Sequence, residues 1–286
     1  MPAELFAILS AMGFGGDAVL VRQGARTSHI NAAAFLSFSV TVLCLWGYLF
    51  VYFSFHHLRL EATLYFVLSG IMQPLLSRLL YYVAITRLGV SRAGTLRGTS
   101  PLFALMLAII FLHERPTILV YGGTLLTVAS IWLISSPGGE QRAWRFVDLF
   151  LPLSAAFFSA LSQNLRKAGL LIDPDPVAAA ATTTSTSLAI FLIFLLATGK
   201  IGLIVPDRKS LPFFGSAALI SAAAQLLNFA ALDTGDVSVM VPLLNTSPLF
   251  TVLFGSLFLR DLEKITLKVI LGSLLMVAGI VLIAGR

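Results

Sequence analysis

Apolar residues run in blocks of about 20, broken by short clusters of charge, proline or glycine, and ten such blocks fill the chain. They fall near 3–25, 29–54, 62–86, 89–112, 117–136, 146–169, 175–198, 211–232, 236–259 and 265–284. At about 1.5 Å of rise per residue, roughly 20 apolar residues cross the hydrocarbon of a bilayer as one helix. No block alternates with period two, so the pattern predicts helices rather than the strands of a closed barrel. The predicted fold is all-α and integral to a membrane, with about ten transmembrane helices. The longest polar stretch, Ser135 to Arg145, lies mid-chain and reads as a hinge between residues 1–145 and 146–286. Nothing else is long enough for an extramembrane domain, so no soluble module is expected to carry catalysis.

The two parts repeat each other. Residues 99–103 read TSPLF and residues 246–250 read TSPLF again, at an offset of 147. In that register Val90-Ser91 falls on Val237-Ser238, and the turn holding Glu114 falls on the one holding Asp261. Gly123 to Ile131 (GTLLTVASI) matches Gly272 to Ile280 (GSLLMVAGI), while Leu9-Ser10-Ala11 and Arg22 match Leu153-Ser154-Ala155 and Arg166. Four blocks in one order are hard to attribute to a small apolar alphabet. Five spans per repeat is an odd number, so the second repeat enters from the opposite side and the two five-helix repeats are inverted. Inverted repeats permit two mirror-related states, each open to one side, as alternating access requires.

Composition sharpens this. Hydrophobic residues make up 58% of the chain and charged residues 11%, with a mean hydropathy of +0.94. A soluble domain carries about 25% charged residues, so only lipid can wet this surface. The net charge of +6 sits mostly at block ends, where it meets headgroups and water, and no nucleic-acid partner is expected. Cys44, the single cysteine, can form no internal disulfide. The apolar start, Leu5 to Leu20, lacks a basic leader and reads as the first span. With a cytoplasmic N-terminus, five Lys and Arg would flank the cytoplasmic ends and twelve the other side. The count therefore favours termini outside the cytoplasm. The expected setting is a bacterial inner (plasma) membrane.

In each repeat a fourth span reading TSPLF ends in an acidic turn before a Gly-rich fifth span. The stretches Val90–Thr117 and Tyr121–Ile134, then Val237–Thr266 and Leu271–Ile283, carry this pattern. They resemble the drug/metabolite transporter superfamily, and above all its ten-helix EamA-like branch. His113-Glu114-Arg115-Pro116-Thr117 is very like the family's Gly-Glu-Arg-Pro-Thr turn, whereas Arg260-Asp261-Leu262-Glu263 departs from it. The resemblance covers nearly the whole chain. It implies a substrate cavity between the halves and transport, in many members export, of amino acids, drugs, metabolites or sugar conjugates. It also implies cytoplasmic termini, against the charge count.

Ionisable residues deep in a span cost several kcal/mol unless they face a cavity or a partner. Arg78 lies within the third span, four residues after Pro74, which leaves the carbonyl of Gly70 without its helical donor and reads as a helix break at the cavity. The repeat mate of Arg78 is Gln225. Arg78 reads either as a guanidinium for a substrate carboxylate or as a snorkelling residue or partner of Asp17. Arg97 precedes Pro101 by four residues, as Leu244 precedes Pro248, and each proline robs one carbonyl of its helical donor. Broken backbone at membrane depth is tolerated where it is buried or lines a cavity. Thr99, Ser100, Asn245, Thr246 and Ser247 beside the breaks thus become candidate lining, unless the prolines only bend their helices for packing. Asp17 reads as a carrier of a coupling proton or as one half of a permanent ion pair with Arg22 or Arg78. Gln163, Asn164 and Asn228 offer neutral hydrogen bonds, Tyr82 an aromatic wall, and the TTTSTS run 182–187 hydroxyls that partly bond to their own helix. Glu114 with Arg115 reads as a turn clamp rather than a gate.

His56-His57 lacks a carboxylate or cysteine at ligand spacing, and no phosphate-cradling glycine loop occurs, so neither metal nor ATP is expected. The leading expectation is a secondary carrier, an exporter of small polar or zwitterionic metabolites such as amino acids. Its partners would be a small-molecule substrate, membrane lipid and a coupling proton. Efflux of amphipathic drugs, or a non-transporting partner or lipid-handling protein, are the competing readings.

Overall fold

The computed structural model describes residues 2–51, 59–88, 90–135, 146–258 and 267–285. The central polar stretch 136–145, His56-His57 and the turn holding Asp261 lie outside the described residues, as do the side chains of Pro74 and Tyr82. The described residues form thirteen α-helices. In chain order these are α1 (Ala3–Gly24), α2 (Ile30–Val51), α3 (Leu60–Gly70), α4 (Ser77–Leu88), α5 (Val90–Arg97), α6 (Ser100–Phe111) and α7 (Ile118–Ser135). The second half continues with α8 (Phe150–Ile172), α9 (Pro176–Ala197), α10 (Leu211–Thr234), α11 (Val237–Leu244), α12 (Ser247–Phe258) and α13 (Leu267–Ala284). Six stretches are long and apolar enough to cross a membrane: α1, α2, Phe146–Ile172, α9, α10 and Val237–Phe258. The outer surface is apolar, with Leu43, Phe50, Ile193, Leu219 and Leu274 all more than half exposed, as a lipid-facing coat must be.

Thirteen helices make ten rods because three predicted spans are broken. Between α3 and α4 the chain takes a π-turn over Ile71–Leu76, in which Gln73 is extended at φ −139° and ψ 125°. Proline's ring pushes the residue before it out of the helical region, which accounts for the break at Gln73. Pro101 and Pro248 lie in the first turns of α6 and α12, where a missing N–H is no loss. The prolines therefore start new helices rather than bend old ones. Hydroxyls at both interruptions satisfy freed carbonyls: Thr99 Oγ1 donates to Leu96 O at 2.7 Å and Thr246 Oγ1 to Leu243 O at 2.6 Å.

Packing follows the repeat. Helix α1 lies on α10, and α8 lies on α3 and α4; α2 meets α10, and α9 meets α3; α1 meets α11 and α12, and α8 meets α5 and α6. Exchanging the halves maps this list onto itself. The pair α7 and α13 is the most direct case. Gly123 packs on the backbone of Gly279, and Ser130 Oγ donates to Gly272 O at 2.6 Å. Position 123 is the repeat mate of 272, and 130 of 279, so the two contacts are images of each other and the helices run antiparallel. Small residues permit such approach, as in membrane bundles generally. The same logic buries Ala178 to Ala181 on α9. It also seats the fully buried Phe66 ring over Gly169 and the Phe214 ring over Gly24.

One end of the bundle is tied across the halves. Glu114 follows α6 in a turn where His113 takes φ 54° and Glu114 N–H reaches back to Ala108 O. Its carboxylate accepts from Val237 N–H at 2.7 Å and Ser238 N–H at 2.9 Å, the first two donors of α11. Helix starts leave such donors without intrahelical partners. Glu114 is thus a bond between halves and not the local clamp with Arg115 that its sequence context suggests.

Candidate functional site

The interrupted helices surround a central cavity of about 420 Å3, within the size range of small-molecule sites. Its lining reaches from Val21 and Ile30, beside the α1–α2 turn, to Arg97, Leu244 and Asn245 at the helix breaks. At the α11–α12 break α11 is packed throughout, every residue from Val237 to Leu244 being buried.

Both halves furnish the polar wall. The first contributes Asp17 from α1, Gln73 from the π-turn, Arg78 from α4, Arg97 from α5 and Ser100 from α6. The second contributes Gln163 and Arg166 from α8, Thr184 and Ser187 from α9, Gln225 and Asn228 from α10, and Asn245 and Ser247 at the α11–α12 break. The arginines stand against aromatic faces: Arg78 is 5.7 Å from the Phe38 centroid and Arg97 is 4.8 Å from that of Tyr81. Such stacking orients a guanidinium while leaving its edge available to an acceptor. Asp17 and Arg78 face the cavity together and act on each other electrostatically. Among the described residues Asp17 makes no direct ion pair, and its Oδ1 is buried without a hydrogen-bond donor.

Several predicted residues behave otherwise. Asn164 is buried but absent from the lining: its Nδ2 donates to Ala160 O at 3.0 Å and Ala104 O at 3.3 Å, tying α8 to α6. Asn245 lines the cavity, yet its Nδ2 is spent on Val241 O of its own helix at 2.8 Å. Asn228 keeps a buried Oδ1 that receives no hydrogen bond. Pro101 and Pro248 act through the breaks they start, with Ser100 and Ser247 lining in their stead. In the hydroxyl run on α9, Thr186 Oγ1 donates to Thr182 O at 2.9 Å and Ser187 Oγ to Thr183 O at 2.8 Å, while Thr184 and Ser187 line the cavity.

Sequence reasoning missed Arg166 as a site residue. It counts there only as the mate of Arg22. Yet the α8 helix runs on to Ile172, and that leaves Arg166 5% exposed and on the cavity wall. Its depth within an unbroken helix was the signal.

The EamA-like transporter family matches the chain twice, over residues 1–136 and 146–285. The chain belongs to the EamA-like transporter family. It is a multi-pass membrane protein with a transporter's architecture. An uncharacterised transporter of Archaeoglobus fulgidus is 25% identical over 225 residues, 78% of this chain and 77% of that protein. An uncharacterised protein of Methanocaldococcus jannaschii is 30% identical over 136 residues, 48% of this chain but 95% of its own length. That relative is therefore the size of one EamA repeat. A solved crystal structure shares the fold with a TM-score of 0.81 at 12% identity, over 98% of this chain and 95% of its own.

Proposed function

We propose that this EamA-family protein is a secondary-active carrier that moves a small polar or zwitterionic metabolite, an amino acid in the simplest case, by alternating access. The two EamA repeats, residues 1–145 and 146–286, act as the moving bodies, and export across an inner (plasma) membrane is the working direction. The observation that carries the reading is the central polar cavity. It is walled by charged and neutral hydrogen-bonding groups from both halves, with Asp17, Arg78 and Arg97 from the first and Arg166 from the second. Arg78 and Arg97 take the carboxylate of the solute, Asp17 its ammonium or a coupling proton, and Gln225, Asn228 and Ser247 complete the wall. Inverted repeats supply two related states, each open to one side. Efflux of cationic amphipathic drugs fits less well, because three guanidinium groups would repel them.

The test is uptake of labelled amino acids and drugs into proteoliposomes, with and without an imposed proton gradient. Saturable uptake of a zwitterion, abolished by Arg78→Ala, supports the carrier. Folded protein that moves no solute of the panel overturns it.

A further inference from the structure

Arg166 and Lys167 are adjacent on α8, both buried, yet their surroundings differ in kind. Lys167 Nζ donates to Asp233 O at 3.1 Å, and the carboxylates of Asp236, Glu114 and Asp233 all act on its charge. Arg166 has no such company. Its Nε donates to Ser69 Oγ at 3.4 Å and its Nη1 to Gln163 Oε1 at 3.3 Å, and its guanidinium carbon lies 5.0 Å from the centroid of the Phe229 ring. All three partners are neutral, and among the described residues no carboxylate pairs with it. A guanidinium has five N–H donors, and among the described residues two of them find partners, both in long bonds. A buried charge is expensive unless paired. This one lies on the cavity wall.

The imbalance extends to the whole cavity. Arg78, Arg97 and Arg166 line it, against Asp17 as the one carboxylate among the described lining residues. A neutral zwitterion brings one carboxylate and one ammonium, and so leaves that excess where it was. A solute with a further acidic group reduces it.

We propose that Arg166 is an anion anchor, and that the solute is a net-anionic metabolite carrying at least two acidic groups, carboxylate or phosphate. This deepens, and rests on, the carrier reading above. One acidic group lies in the fork of Arg166, which suits planar carboxylate and phosphate oxygens. The other falls to Arg78 and Arg97. The phosphate or second carboxylate belongs to a free solute, not a lipid headgroup, because the cavity is central to the bundle and walled by both halves.

The experiment is uptake of labelled alanine, aspartate, malate and glycerol 3-phosphate into proteoliposomes of phosphatidylcholine alone, so that no anionic lipid competes. The wild-type chain should favour at least one acidic solute over alanine by about tenfold or more in kcat/KM, the scale of one charge-assisted bidentate contact. Arg166→Gln should bring that ratio toward one, and Arg166→Lys, which keeps the charge, should restore part of it. Saturable alanine uptake equal to or above that of every acidic solute overturns the anion inference and leaves the carrier standing. An unchanged ratio in Arg166→Gln overturns the role of Arg166. Should that variant fail to fold, the wild-type ratio and Arg166→Lys decide. Absence of uptake for all four solutes overturns the carrier reading and this inference with it.

Discussion

Removing the Glu114 carboxylate should loosen the start of α11. Its two oxygens hold the N–H groups of Val237 and Ser238 at 2.7 and 2.9 Å, across the interface between halves. Hydrogen bonds to a charged group contribute about 1.5–3 kcal/mol each, and a carboxylate at a helix start adds roughly 0.3–1 kcal/mol through the helix dipole. The site is only partly buried, so water replaces some of what is lost. Glu114→Ala should therefore cost about 2–4 kcal/mol, and Glu114→Gln, which retains one acceptor oxygen, about half of that. Thermal unfolding in detergent reads the stability. A cysteine probe reads the location: Ser238 is 1% exposed, so in a Cys44→Ser background Ser238→Cys should resist an impermeant maleimide. Adding Glu114→Ala should make it react. An unchanged melting midpoint together with an unreactive Cys probe would refute the tie between the turn and α11.

Three further outcomes are expected. Gly169→Ala puts a Cβ inside contact distance of the fully buried Phe66 ring, and such overpacking costs about 1–3 kcal/mol; Phe66→Leu in the same chain should return part of it, and Gly24→Ala should behave alike against Phe214. His113 holds a left-handed φ of 54°, so His113→Gly should raise the melting midpoint by an amount corresponding to about 1 kcal/mol; a fall would show that the imidazole stabilises the turn. The Lys and Arg count predicts a reporter fused after Arg286 to be active outside the cytoplasm; cytoplasmic activity would mean that buried and cavity-facing arginines distort the count.

Much of the fold was legible because lipid enforces it. Backbone groups without water must bond along the chain, so ten apolar blocks became ten rods within a few residues of their predicted limits. The TSPLF pair located two of the three breaks and Pro74 the third, since proline acts locally. The form of the break at Gln73, a π-turn, was less legible than its place. Packing also decided the fate of asparagines. Asn164 and Asn228 look alike in sequence, but one meets two carbonyls of neighbouring backbone and the other meets the cavity. Glu114 belongs to the same class of error. Its partners are more than a hundred residues away, and no local spacing points to them.

The frame is symmetric while its chemistry is not. Arg78 has Gln225 as its mate, Arg97 has Leu244, and Asp17 has Leu161. Two-fold related backbones supply two states of similar energy, which is what exchange between open sides demands. A symmetric charge pattern would add nothing to that exchange, and it would double the cost of burying ionised groups in lipid. A solute with distinct ends is better met by charge gathered on one half and neutral hydrogen-bonding groups on the other. Arg166 qualifies this division, since it brings a cation from the second half to the same cavity. Its mate Arg22 lies exposed at the end of α1. The same residue, repeated, is thus exposed in one half and enclosed in the other, and among the described residues no carboxylate pairs with the enclosed copy.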